Sequence, residues 1–275
     1  MRAKKSLGQH FLKSKSALQD IVRAGEVTAN DVILEIGPGQ GALTAPLLAT
    51  GAKILAVEKD SEMLKVLSEK FRTELEKEEL VLLEKDILDF DPTKNSLLRN
   101  RKYKLIANIP YYITGEIIRK FLTAEKAPEK MVLLVQKEVA NRIMTQDGKE
   151  SILSISVRAY CQPKFIGTVK AGSFSPPPKV DSAIILFENI SKDFFEKNNI
   201  DEKKFFELVK TGFAHKRKKL TSNLKEIFRT KSIKGGENSN LVGFDKNTRA
   251  EELSLGNWQK IYAKLQKITA TRQIR

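Results

Sequence analysis

Short apolar runs alternate with helix-periodic stretches through the first half of this 275-residue chain. Ala17, Leu18, Ile21 and Val22 fall at helical spacing behind serines suited to capping, which predicts a helix over residues 14–24. Val32-Ile33-Leu34-Glu35-Ile36 reads as a strand that stops at Gly37-Pro38-Gly39-Gln40-Gly41. Residues 42–49 then resume a helical composition, which Pro46 should perturb or delay. A second strand over 53–57 ends at Glu58, and Met63, Leu64, Leu67 and Phe71 form one face of a helix over 61–71. A third strand, 80–84, ends at Asp86; a fourth, 104–107, ends at Asn108-Ile109-Pro110-Tyr111. A helix over 114–122, a fifth strand over 131–135 and a helix over 137–144 complete the alternation. Strands and helices alternating at these lengths imply a parallel sheet with helices on both faces.

Beyond Gly148 the pattern loosens. Strand candidates at 164–169 and 180–187 flank a proline-rich turn, Ser173-Phe174-Ser175-Pro176-Pro177-Pro178. From Asp201 the composition turns to basic amphipathic helices, over 205–213, 220–228 and 251–265, with a Gly/Asn/Ser/Lys-rich loop at 230–243. The boundary falls within 191–200, giving an α/β domain over 1–195 and a smaller all-helical domain over 196–275. Trp258 and Tyr262, one helical turn apart, are expected in the core of the second domain.

Charge sharpens this division. The net formal charge is +15, yet residues 26–200 are neutral; residues 1–25 carry +5 and residues 201–275 carry +10. A neutral body between basic ends suits a polyanionic partner gripped outside the reaction site. No apolar run is long enough to span a membrane and no signal-peptide core follows Met1-Arg2-Ala3-Lys4-Lys5, so a soluble, cytoplasmic protein is expected. One cysteine, Cys161, leaves no pair for an intramolecular disulfide, and two distant histidines leave no Cys/His metal cluster. Cys161 is expected to be a small buried residue.

The strand ends carry the candidate chemistry. Gly37, Gly39 and Gly41 after the first strand, with Glu58 ending the second, match the arrangement by which Rossmann-like sheets bind a ribose. The spacing is not that of a dinucleotide site, and Pro38 removes a backbone donor that a pyrophosphate needs. Asp86 adds an acceptor for an adenine amino group. Together these residues suit a nucleoside with a charged tail and no phosphate: S-adenosylmethionine, with S-adenosylhomocysteine as product.

Asn108-Ile109-Pro110-Tyr111 stands where open α/β sheets bind ligands. The exocyclic amino group of adenine is a weak nucleophile because its lone pair is delocalised into the ring. An Asn108 side-chain oxygen and the Ile109 carbonyl would accept its hydrogens, in a loop constrained by Pro110, and Tyr111 would stack on the base. Because the departing group is a neutral thioether, neither a metal nor a strong base is required.

Five strings in order complete the picture: Lys4-Lys5-Ser6-Leu7-Gly8-Gln9-His10-Phe11-Leu12, Glu35-Ile36-Gly37-Pro38-Gly39-Gln40-Gly41, Asn108-Ile109-Pro110-Tyr111, Val135-Gln136-Lys137-Glu138-Val139-Ala140 and Phe174-Ser175-Pro176-Pro177-Pro178-Lys179-Val180-Asp181-Ser182. With them the chain closely resembles the KsgA (RsmA, Dim) family of small-subunit ribosomal RNA adenine dimethyltransferases, along nearly its whole length. The resemblance implies a class I methyltransferase fold. It implies that His10, Leu12, Gly37, Gly39, Glu58, Asp86, Ile87 and Asn108 hold S-adenosylmethionine and that Tyr111 and Phe174 sandwich the target adenine. The family often has Asn where this chain has His10, and Leu in place of Ile109.

The implied substrate is a pair of adjacent adenosines in the 3′-terminal hairpin loop of 16S rRNA, each dimethylated, within an assembling 30S particle. Lys216, Arg217, Lys218 and Lys219, expected to open a helix of the second domain, are the candidate RNA grip. Nothing calls for an oligomer, so a monomer is expected. Two rivals remain, of which the first shares the core motifs. A macrolide-resistance 23S rRNA methyltransferase would lack the Phe174–Ser182 string and the longer second domain; a non-catalytic nucleic-acid-binding relative would have lost the Asn108 loop or the strand-end acids.

Overall fold

The protein is described by a computed structural model covering residues 9–225, 227, 244–245 and 247–273, with the side chains of 269–273 excepted. Within it, residues through Ala140 together with Cys161–Ser191 form one compact unit, and Asn141–Tyr160 with the residues from Lys192 onward form another.

In chain order the first unit contains β1 (Phe11–Leu12), α1 (Lys15–Ala24), β2 (Val32–Ile36), α2 (Thr44–Leu48), β3 (Lys53–Glu58), α3 (Ser61–Lys70), α4 (Arg72–Glu76), β4 (Leu80–Glu84), β5 (Lys104–Asn108), α5 (Thr114–Leu122) and β6 (Lys130–Gln136). α6 (Lys137–Met144) leads out of it; β7 (Gln162–Val169), β8 (Phe174–Ser175) and β9 (Ser182–Glu188) complete it. Seven strands form one sheet in the order β4-β3-β2-β5-β6-β9-β7. β2 to β6 run parallel, while β9 lies antiparallel between β6 and β7. Every residue of β2 is buried, as continuous apolar strands in a doubly covered sheet require. Strand order reverses between β2 and β5, so the crevice at their carboxyl ends is the expected ligand site.

Local chemistry explains the helix starts. Ser14 accepts from the Ala17 N–H ahead of α1, and Asp60 accepts from the Glu62 N–H ahead of α3. Pro46 sits inside α2 and the helix is five residues long, as a missing donor predicts.

A small second sheet pairs β1 antiparallel with β8, Leu12 opposite Phe174, which no periodicity announced. Its formation places the segment around His10 against the proline-rich turn. Cys161 is buried, and burial pushes its thiol pKa up to about 12.

In the second unit lie α7 (Ile152–Tyr160), α8 (Asp193–Lys197), α9 (Glu202–Gly212), α10 (Leu220–Asn223) and α11 (Leu255–Gln273). A single division at 195/196 does not describe this grouping. α7, which its serines and β-branched residues disguised, joins the C-terminal residues because Ile155, Val157, Ala159 and Tyr160 are buried and α7 packs on α8, α9 and α11. α8 occupies the stretch expected to be a boundary, and its Phe195 ring packs against Tyr160, Phe205 and Phe206.

Other bounds shift for similar reasons. The helix expected over 251–265 is instead a short 3-10 turn, Ala250–Glu252, followed by α11, since Ser254 accepts from the Asn257 N–H and starts a new helix there. Of the helix expected over 220–228, α10 covers Leu220–Asn223; Phe228, Arg229 and the loop at 230–243 lie outside the described residues, as do Lys4 to Gly8.

Trp258 is fully buried and stacks on Phe213, while the Tyr262 hydroxyl accepts from the Asp201 N–H. A Cβ on Gly212 would stand 2.2 Å from the Trp258 ring. Gly212→Ala is therefore expected to destabilise the chain by about 1–3 kcal/mol or more through overpacking, read as a lowered urea midpoint; an unchanged midpoint would remove this contact as a constraint.

Candidate active site

Three glycines shape the turn after β2. Gly37, Gly39 and Gly41 have φ of 63°, 56° and 74°, a region L side chains rarely adopt. At Gly41 a side chain is excluded twice, because a Cβ would also meet the Phe71 ring at 2.4 Å. At Gly39 the backbone N–H donates to Glu58 Oε2 at 3.1 Å.

Glu58, at the end of β3, is 8% exposed. Its other oxygen accepts from the N–H groups of Lys59 and Asp60, both at 2.9 Å. Burial raises its pKa above the usual carboxylate value, and these three N–H groups oppose that rise. Past the end of β4, Asp86 takes the Lys59 ammonium at 2.7 Å on Oδ2 and the Leu88 N–H at 2.9 Å on Oδ1. Lys59 holds the Asp86 carboxyl below its usual range.

Asn108 ends β5, and its Nδ2 lies 3.4 Å from the His10 carbonyl, an assignment that leaves Oδ1 as the acceptor. Ile109 is buried, and Pro110 leads into the 3-10 turn Tyr111–Ile113. The half-buried Tyr111 ring lies 5.9 Å from the His10 ring at 21°, and its hydroxyl meets Ser182 Oγ at 2.7 Å. Burial raises the phenol pKa; the Ser182 contact lowers it.

These residues surround one cavity of about 380 Å³. His10, Leu12, Gly37, Gly39, Glu58, Asp86, Ile87 and Asn108 all line it, as do Ile109, Pro110 and Tyr111. Phe174 does not. It is 4% exposed and belongs to the core cluster with Leu12 and Val169, and the ring beside Tyr111 is that of His10.

Glu35 was not singled out by sequence reasoning, although it belongs to the glycine-turn string. It lines the cavity, is 1% exposed, and neither carboxyl oxygen has a hydrogen-bond partner of good geometry among the described residues. Burial pushes its pKa up to about 8; Thr44 opposes this, the charge of Glu58 adds to it and Lys70 opposes it. The only sequence signal was a charged residue inside an otherwise apolar strand.

Lys216, Arg217, Lys218 and Lys219 lie in the second unit, all exposed. They form the turn before α10, not its first turn, since Lys219 is the N-cap. Among the described residues no group of three His, Cys, Asp or Glu side chains is placed to hold a metal, and no helix is long and apolar enough to cross a membrane.

Comparison with known proteins identifies the family. Residues 1–267 match the family described as Ribosomal RNA adenine dimethylase. A protein of Dehalococcoides mccartyi named Ribosomal RNA small subunit methyltransferase A is 38% identical, covering 95% of this chain and 88% of its own. A protein of the same name from Trichormus variabilis is 40% identical, with 95% and 97% covered. Among solved structures, a dimethyladenosine transferase from Plasmodium falciparum superposes with a TM-score of 0.76 at 25% identity, covering 94% of this chain and 98% of that one. The 23S rRNA methyltransferase ErmE reaches 0.70 at 22% identity, covering 93% and 99%, which speaks for a shared fold. A match running through the strand-end loops and the helical unit alike places this chain in the ribosomal RNA adenine dimethylase family.

Proposed function

We propose that the cavity transfers methyl groups from S-adenosylmethionine to N6 of two adjacent adenosines in the 3′-terminal hairpin loop of small-subunit rRNA, dimethylating each. The chain does so as a cytoplasmic monomer acting on an assembling small subunit. The observation that carries this reading is the meeting of Glu35, Glu58, Asp86 and the Asn108–Tyr111 loop around one cavity at the switch point of the sheet. Family membership and the names of the relatives support it.

The residues present fit the cofactor. Glu58 retains one lone pair, on Oε2, for a ribose hydroxyl beside its three backbone donors. Asp86 has an acceptor position left on each oxygen for an adenine amino group, next to Lys59 and the Leu88 N–H. Glu35 is a buried carboxyl whose oxygens have no hydrogen-bond partner among the described residues, and a cationic amino-acid tail would supply one. When bound, S-adenosylmethionine provides an electrophilic methyl group on a sulfonium that departs as a neutral thioether.

The chain's own residues activate the acceptor. Asn108 Oδ1 and the Ile109 carbonyl take the N6 hydrogens and draw the nitrogen lone pair out of conjugation with the ring. Tyr111 holds the flipped base by its face. As the N–C bond forms and the C–S bond breaks, the surplus N6 proton leaves to solvent; in the second transfer N6 has one hydrogen left and one of the two acceptors holds it. Lys216, Arg217, Lys218 and Lys219 hold RNA phosphates.

Incubation with labelled S-adenosylmethionine and either immature small subunits or large-subunit RNA should label adjacent adenosines in the small subunit alone; label confined to large-subunit RNA would overturn the assignment. Asn108→Ala should keep the thermal midpoint yet lower turnover by about 10²-fold or more, the scale of a missing transition-state acceptor. Joint replacement of Lys216, Arg217, Lys218 and Lys219 by Ala should weaken RNA binding and flatten its dependence on log salt by about 0.7–0.9 for each phosphate no longer neutralised, with cofactor affinity unchanged.

Glu35 gives a pH signature in the cofactor-free protein. Its folded pKa of about 8 exceeds the ordinary 4.5, so the folded state keeps a proton that the unfolded chain releases, and stability falls as pH rises between those values. Glu35→Gln removes that pH-dependent fall. The stability advantage of the variant should grow across this window and level off above it, while its cofactor affinity drops; an advantage that does not change with pH would exclude a buried neutral carboxyl.

A further inference from the structure

Tyr111 must present a flat face to a base, and a tyrosine ring has two soft torsions. The first swings the whole ring about the Cα–Cβ bond; the second spins its plane about the axis from Cβ to the hydroxyl. Because the hydroxyl lies on that axis, a hydrogen bond to it fixes where the ring is and leaves its plane free. Fixing the plane requires a contact on a face.

The structure holds both restraints. The Tyr111 hydroxyl meets Ser182 Oγ at 2.7 Å, and the His10 ring lies nearly parallel to the Tyr111 ring at 5.9 Å. His10 is anchored in turn by Nδ1, 2.8 Å from the Pro176 carbonyl. Ser182 is completely buried and opens β9, where it pairs with Gln136 of β6 on one side and Val169 of β7 on the other. Strand pairing on both flanks makes it a fixed point of the sheet. Tyr111, by contrast, begins a three-residue 3-10 turn without a side-chain cap, a local structure too weak to aim a ring.

We propose that Ser182 is a positioning residue for methyl transfer: its hydroxyl pins the Tyr111 hydroxyl to the antiparallel strand β9, paired on both flanks, while His10 sets the plane of the ring, so that the stacking surface is formed before RNA arrives. The proposal rests on the reading that Tyr111 stacks on the target adenine. It gives the final serine of the Phe174–Ser182 string a chemical task. It also assigns the Tyr111 hydroxyl to the protein, leaving the ring face for the base.

Three variants and their combination test this in the full-length protein, with kcat and KM for RNA, cofactor affinity and thermal midpoint measured for each. Ser182→Ala and Tyr111→Phe break the same bond from opposite ends. Each should lower kcat/KM for RNA by about 3–10-fold, the scale of one net hydrogen bond, with cofactor affinity unchanged. The double variant should be no worse than the poorer single one, and Ser182→Thr, which keeps a hydroxyl, should recover most of the activity. Tyr111→Ala probes the underlying reading and should cost far more than Tyr111→Phe. If Tyr111→Ala is near wild type, the stacking reading fails and the proposal falls with it. If Tyr111→Ala is crippled while Tyr111→Phe stays within twofold of wild type, stacking stands and the pin is overturned, even should Ser182→Ala fail to fold. Effects that multiply in the double variant overturn it as well.

Discussion

The site depends on one buried carboxylate. Glu58 accepts three backbone N–H groups, one from the glycine turn after β2 and two from the start of its own loop after β3. Burying an ionised carboxyl is costly unless such donors surround it. The Gly39 donor also carries a structural consequence: the turn must pass within hydrogen-bonding distance of the neighbouring strand end, which its left-handed glycines permit. The Gly39–Glu58 bond therefore joins two strand ends and forms one wall of the cavity.

Glu35 stands beside Glu58 in the same cavity with the opposite solution. Lacking N–H partners, it relieves the cost of burial by keeping its proton, and the charge of Glu58 pushes it further that way. Two carboxyls set apart by their environments give one acceptor held by N–H donors and one group that keeps its proton until a cation is supplied. Such a floor favours a ligand with a positive tail over a phosphate, in agreement with the missing donor at Pro38.

Much of this was legible in the sequence because parallel strands advertise themselves. Each is a largely apolar run stopped by a glycine or a polar residue, and Gly37, Glu58, Asp86 and Asn108 beyond four of these runs all line the cavity. What was illegible depends on contacts distant in sequence. β1 and β8 are two-residue strands that exist only because residues 11 and 175 meet. Phe174, opposite Leu12 in that pairing, is part of the core cluster. α7 is helical through packing more than propensity, and its burial with α8, α9 and α11 produces a discontinuous unit that no scan for a boundary would find. The basic run from Lys216 to Lys219, expected to open a helix, is exposed but forms the turn before α10, because turns and first helical turns share polar composition.

The pairing of β1 with β8 has one more consequence. Residues 9–12 form a wall common to both halves of the cavity. On the cofactor side, Gln9 Nε2 donates to Asp60 at 3.1 Å, close to the Glu58 node, and the His10 carbonyl faces the Asn108 amide. On the acceptor side, the His10 ring sets the plane of Tyr111 and is tied to the Pro176 carbonyl. The Lys13 N–H donates to the Ser173 carbonyl at 2.8 Å, extending the tie beyond the two-residue strand. Four residues therefore cannot move on one side without moving on the other. Since an in-line transfer tolerates little error between donor and acceptor, a single wall that registers both is a more economical solution than two independently positioned ones.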